Sequence, residues 1–263
     1  MGIVMGAKDW LSKRWMKAGI KNDDTVLLHS NIVRTLAQLR REGFKPSAEV
    51  VLDSFISALG DQGTLVIPLF NFDFTSGVKF DFRYTESHMG ALTEAARKNP
   101  EAVRTGHPIY SFCAIGRQSH VFKGVDNYSG YGADSPFGLI RQLNGKIAVL
   151  DIEENRSMTF HHHVEEMMSV PYRYSKEFRG KYIDINGIES ERSYAIYVRN
   201  LEQKVETCLN PIGEKLLAAN IYKGDKPNDG TGLRIGNANE IFTFVEKIIS
   251  NGDALGNLYK IGK

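Results

Sequence analysis

The chain has 263 residues, 42% hydrophobic and 24% charged, and its 33 Lys and Arg against 31 Asp and Glu leave a formal net charge of +2. That length supports one large domain or two small ones, and two cysteines, Cys113 and Cys208, are too few for a disulfide framework and point to a cytoplasmic protein with reduced thiols. A nucleic-acid binder needs a basic stripe with interleaved aromatics, whereas the densest basic patch here is Arg40-Arg41, a solvated helix end.

The start, MGIVMGAKDWLSKRW, has no apolar core followed by a cleavage site, so no signal peptide is expected, and nothing reaches the length of a membrane span. Lys8 to Ala18 places Trp10, Leu11, Trp15 and Ala18 on one face and predicts an amphipathic helix. Thr25 to Ser30 reads as a short buried strand. Ser47 to Leu59 predicts a second helix with Val50, Val51, Phe55 and Leu59 inward and Gly60 as its stop. Thr64 to Pro68 is another strand, and Met89 to Lys98 a helix closed by Asn99-Pro100. Ser111 to Ile115 predicts a strand, Pro136 to Leu143 a helix and Lys146 to Ile152 a strand. This is an α/β pattern with parallel-type strands. Beyond residue 170 the pattern changes. Tyr172 to Asp184 and Glu191 to Arg199 predict antiparallel strands joined through Asn186-Gly187. Helices follow at Gly213 to Ala219 and Asn237 to Ser250. The expectation is an α/β core with an antiparallel hairpin region at about 170–200, built as a single compact unit over 1–263.

The run Met158-Thr159-Phe160-His161-His162-His163-Val164-Glu165-Glu166 concentrates three imidazoles and two carboxylates, side chains that move protons near neutral pH. If it is helical, Thr159, His162 and Glu165 or Glu166 share a face. Three readings are open: a base with its orienting acid, a metal site from His161 and Glu165 four apart, or satisfied structural histidines. The metal reading is the weakest, because the HExxH pattern and a third ligand are missing.

Elsewhere, His29-Ser30-Asn31-Ile32-Val33-Arg34-Thr35 follows the first strand. Amides at a helix start bind phosphate, yet plain capping by Ser30 or Asn31 accounts for the same residues. The chain has no P-loop and no GxGxxG. Gly132 to Gly138 is a loop entering a helix, with Ser135 as N-cap and Pro136 first inside. Arg104 to Pro108 is a polar loop whose His107 reads as a turn residue.

In order along the chain, Leu28-His29-Ser30, Gly63 to Pro68, Met89 to Glu94, Arg104 to Phe112, Ser135 to Gly138, Thr159-x-x-His162-x-x-Glu165 and Val170 to Tyr174 resemble the aminoglycoside 3-N-acetyltransferase family. These are acetyl-CoA-dependent enzymes distinct from the GNAT acetyltransferases. The resemblance implies that Ser30, Asn31, Ile32, Val33, Arg34 and Thr35 lie against CoA and that Ser135 lines the CoA groove. It also implies that His162 is the catalytic histidine, that Glu165 orients it and that Thr159 lies close to the thioester. Two departures stand out: Asn31 where members often carry a second serine, and Asp151 where they often carry a glycine.

The resemblance implies acetyl transfer from acetyl-CoA to a primary amine in a ternary complex, with no metal. His162 deprotonates the amine, and Thr159 or a backbone N–H stabilises the oxyanion. An enzyme for polycationic aminoglycosides benefits from an acidic surface, which this balanced chain lacks. A neutral or anionic amino sugar, such as a nucleotide-linked one used in surface polysaccharide synthesis, is the expected acceptor. Antibiotic resistance is the alternative, with Asp151, Glu153 and Glu154 building a cationic pocket. A non-catalytic CoA- or sugar-binding protein is a third reading. The protein is expected to act as a monomer or homodimer.

Overall fold

The computed structural model describes residues 5–262. Residues 1–4, part of the start that argues against a signal peptide, lie outside the described residues. The chain opens with α1 (Ala7–Ala18), β1 (Thr25–Ser30), α2 (Val33–Arg41), α3 (Ala48–Leu59) and β2 (Thr64–Pro68). Gly19 stops α1 in the left-handed region at φ 119°, returning its N–H to the last turn, and the Ser47 hydroxyl accepts from Val50 N–H to start α3. Next come β3 (Phe80–Asp81), α4 (Ala91–Arg97), β4 (Val103–Arg104), β5 (Phe112–Gly116), α5 (Pro136–Gln142) and β6 (Lys146–Leu150). The histidine run forms α7 (Phe160–Met167), after the single turn α6 (Glu154–Ser157). The hairpin β7 (Arg173–Ile183) and β8 (Glu189–Arg199) leads to β9 (Val205–Thr207), α8 (Asn210–Ala218), β10 (Lys223–Gly224), β11 (Leu233–Asn237), α9 (Ala238–Ser250) and β12 (Tyr259–Ile261).

The main sheet has seven strands in the order β10-β11-β6-β1-β2-β5-β4. Only the β6–β1 and β1–β2 pairings are parallel; β5 pairs antiparallel with β2 and β4, and β11 antiparallel with β6 and β10. The sheet is therefore mixed, and the expectation of a parallel-type strand over Ser111 to Ile115 holds for its place but not its direction. Both faces are buried, and successive residues alternate between two cores. Leu27, Val66, Ile147 and Val149 pack toward α5, α7, α9 and the hairpin. Val26, Leu28, Leu65, Ile67, Ala148 and Leu150 pack toward α1, α3 and α4. The hairpin forms a separate three-stranded sheet with β3, and its second strand, β8, begins at Glu189, two residues before the expected Glu191. Its turn is set by the Asp184 carboxylate, which accepts from Asn186 and Ile188 N–H, and by Gly187 at φ 84°. No helix of the described residues is long and apolar enough to cross a membrane.

Candidate active site

The parallel strands end together at Ser30, Pro68 and Leu150, and ligands of open α/β sheets collect at such carboxyl ends. α7 lies over this edge. Two of its histidines turn into the protein. His161 Nε2 donates to Glu154 Oε1 at 2.9 Å, and His163 Nδ1 donates to the Tyr131 carbonyl at 2.7 Å. His162 is the histidine that reaches open space, with its side chain 13% exposed. Its Nδ1 donates to Glu165 Oε2 at 2.6 Å, one helical turn away. Glu166 points elsewhere and accepts from the Ser129 hydroxyl at 2.8 Å. The alternatives left open by spacing thus resolve to His162 with Glu165. The metal pairing of His161 with Glu165 is not formed, because each is engaged with another partner.

A second group, Arg173, completes the arrangement. Its Nε lies 2.7 Å from Glu165 Oε2, and its Nη2 lies 3.4 Å from His162 Nε2. Burial alone would raise the Glu165 carboxyl; Arg173 and His162 outweigh it and hold Glu165 below the usual carboxylate range. Burial, reinforced by Arg173, lowers His162 to about 4 despite Glu165. At neutral pH the site therefore holds an ionised Glu165 and a neutral His162 with the proton on Nδ1. The Nε2 lone pair faces the Arg173 Nη2 donor at 3.4 Å.

Three cavities join in a line through this point. An outer one of about 610 Å³ is walled by Ser30, Asn31, Ile32 and Val33 and by Met89 to Leu92 opposite. A central one of about 280 Å³ shares Ser30, Met89, Ile152 and Arg156 with it and adds His29, Thr159 and His162. A third of about 510 Å³ meets the central one at Tyr110 and His162. His162 lines both the central and the third cavities. Thr159, one turn earlier, also faces the central cavity, its hydroxyl donating to the Ser157 carbonyl at 3.2 Å.

The model of the family described as aminoglycoside 3-N-acetyltransferase matches residues 36–250. The chain belongs to the aminoglycoside 3-N-acetyltransferase family. It is thereby an acyltransferase by family. Aminoglycoside N(3)-acetyltransferase VII of Streptomyces paromomycinus is 25% identical over 174 residues, 58% of this chain and 58% of that one. The match therefore spans little more than half of that relative's length. The SPbeta prophage-derived aminoglycoside N(3')-acetyltransferase-like protein YokD of Bacillus subtilis is 25% identical over 262 residues, 90% of this chain and 89% of its own. Among solved structures, AAC-IIIb binary with CoASH superposes with a TM-score of 0.77 at 17% identity, covering 93% of this chain and 96% of that one. That likeness concerns the fold.

The residues that family resemblance assigned to CoA divide. Ser30 to Val33 line the groove, but Arg34 and Thr35 do not. Arg34 Nε contacts Asp151 Oδ2 at 3.0 Å and its Nη2 donates to the Asp229 carbonyl, while Thr35 is 1% exposed inside α2. Ser135 is fully buried at the start of α5 and lines none of these three cavities. The acids that the resistance alternative groups are divided: Asp151 and Glu153 line the outer cavity, and Glu153 and Glu154 line a separate one of about 260 Å³. Asp151 is neutralised by Arg34. Glu154 is buried against His161, Arg234 and Tyr222. Glu153 is exposed on the outer cavity, bonded to Asn210. None of the three lines the cavity beyond His162. Asp151 adopts φ 50°, which explains why a glycine suits that position and why Asp, which tolerates the left-handed region, can replace it.

Arg173, His29 and Tyr110 are site residues that spacing did not single out. Arg173 follows Tyr172 at the start of a strand, eight positions past Glu165; the available signal was a charge set among aromatics. His29 is 5% exposed, its Nε2 has no partner within the chain, and burial lowers it to about 4.

Proposed function

We propose that the protein transfers the acetyl group of acetyl-CoA to a primary amine of an amino sugar, acting in the cytoplasm over the whole chain as one domain. The observation that carries this is the neutral His162, oriented by Glu165, lining both the central and the third cavities. CoA fits the outer and central cavities: Arg156 supplies a cation toward its phosphates, and the orphaned His29 Nε2 supplies a polar contact for the pantetheine arm or thioester. The amine enters from the third cavity.

An alkylamine resembles lysine, with a pKa near ~10.4, so a proton must leave before it attacks. The free amine, its first proton lost to solvent, attacks the thioester carbonyl carbon while His162 Nε2 takes the second proton from nitrogen. The oxyanion accepts from a backbone N–H or from the Thr159 hydroxyl once it turns from the Ser157 carbonyl, and Glu165 stabilises the imidazolium. The C–S bond then breaks, and the sulfur leaves with the proton held on His162. No acyl-enzyme is needed. Burial pushes the Cys113 thiol up to about 12, which removes it as a nucleophile.

The family name supports a second reading, in which the acceptor is an aminoglycoside antibiotic. Thiol release from acetyl-CoA against a panel of aminoglycosides and amino sugars separates the two, and CoA affinity by calorimetry stands beside it. A protein that binds no CoA and releases no thiol with any amine would sink the acetyl-transfer reading.

A further inference from the structure

Three separate stretches of chain that line the outer cavity are the entry to α2 at Asn31 to Val33, the end of β6 at Asp151 to Glu153, and Pro227-Asn228 in the loop between β10 and β11. A single ion pair ties them together. Arg34 Nε donates to both oxygens of Asp151, at 3.1 and 3.0 Å. The rest of the guanidinium faces the loop: Nη2 donates to the Asp229 carbonyl at 3.1 Å and Nη1 to the Gly230 carbonyl at 3.3 Å. Asp151 Oδ1 also accepts from Asn228 N–H at 2.9 Å, and Asp151 N–H donates to the Gly232 carbonyl at 2.9 Å. The pair is largely removed from water, with the Arg34 side chain 22% and the Asp151 side chain 4% exposed. A Cβ at Gly232 would overlap both the carboxylate and the guanidinium, so the loop closes on the pair because position 232 is glycine.

We propose that Arg34 and Asp151 are positioning residues that clasp the loop 225–232 against α2 and so preset the outer cavity for the nucleotide end of CoA. The inference rests on the reading that CoA fills the outer cavity with its thioester near His162. A loop already held in place costs the ligand no ordering on binding, whereas a released loop must be ordered by the ligand and weakens it. Neither residue lines the central or the third cavity, so the effect belongs to the distal half of the donor and not to the amine. The clasp also gives the departure at position 151 a role. A glycine would satisfy the backbone at φ 50°, but only the aspartate adds a carboxylate for the guanidinium and the loop.

Calorimetry with CoA on the full chain tests this directly. Arg34→Gln and Asp151→Gly should each raise the Kd for CoA about tenfold, and the double variant should add little more, because either change alone opens the clasp. Asp151→Gly suits φ 50° and leaves the backbone unstrained, so it keeps the test decisive if Arg34→Gln fails to fold. Kinetics supply a readout that a general loosening of the structure would not move. The ratio of kcat/KM for acetyl-CoA to that for S-acetylpantetheine, which keeps the thioester arm and lacks the nucleotide, should fall about tenfold in each variant with glucosamine or kanamycin as acceptor. Unchanged CoA affinity in the folded variants, or equal losses with both donors, would overturn the proposal. If no amine releases thiol while CoA affinity still depends on Arg34 and Asp151, the acetyl-transfer reading fails and the clasp stands. A parent protein that binds no CoA overturns both.

Discussion

In the proposed mechanism His162 acts as a neutral imidazole. An imidazole beside a carboxylate usually gains affinity for a proton, yet burial and Arg173 win here and lower His162 to about 4. Replacing His162 with Ala should reduce kcat by about 10²–10⁴-fold while CoA still binds; thiol-release kinetics and calorimetry read the two effects separately. Arg173 contacts the substrate nowhere in this scheme and acts through His162 Nε2 and Glu165, as a positioning residue. With rates expressed per free amine, the acid limb of kcat/KM should fall near pH 4 in the parent protein. In Arg173→Gln it should move upward toward ~6.5, because a cation that opposed protonation is gone. An unmoved limb would leave Arg173 with a structural role only.

At the scale of elements, the positions of β1 and β2 were legible to the residue, because Thr25–Ser30 and Thr64–Pro68 are apolar runs bounded by turn signals. The direction of β5 was not, since a strand buried on both faces reads alike either way. β11 was missed altogether: Arg234 interrupts its apolar run and is tolerated only because Glu154 and the Ile152 carbonyl meet it from distant parts of the chain. The same limit hid the site's charge. Asp151 and Glu154 looked available in sequence, and their partners Arg34 and Arg234 lie 117 and 80 positions away. His107 shows a turn residue acting as a fastener. Its Nδ1 accepts from Ile109 and Tyr110 N–H, and its Nε2 donates to the Ala195 carbonyl of the hairpin at 3.4 Å. His107→Ala leaves these buried groups unpaired and should cost about 2–4 kcal/mol, measured by denaturant unfolding. A change under ~1 kcal/mol would show that water replaces the ring there.

Across the whole molecule, four histidines share one electrostatic state. His29, His107, His162 and His163 are each lowered to about 4, with burial the largest cause. Unfolded, each titrates near ~6.5. Between these values the unfolded chain binds more protons, so stability rises with pH across the window. It is fully present above ~6.5 and lost as pH falls toward about 4. Unfolding near pH 5 should take up about three to four protons from these groups. Denaturant midpoints at several pH values check this, and a midpoint constant from pH 7 to 4.5 would contradict it.

The shared wall of the central and third cavities has a kinetic consequence. Among the described residues only Tyr110 and His162 border both, so in the proposed scheme donor and acceptor meet across these two rings. Neither product can be formed until both halves are filled, and double-reciprocal plots should intersect. A single molecule tethering the amine to the CoA sulfur would occupy both halves at once. It should bind more tightly than either substrate alone, since its second contact is made at high effective concentration.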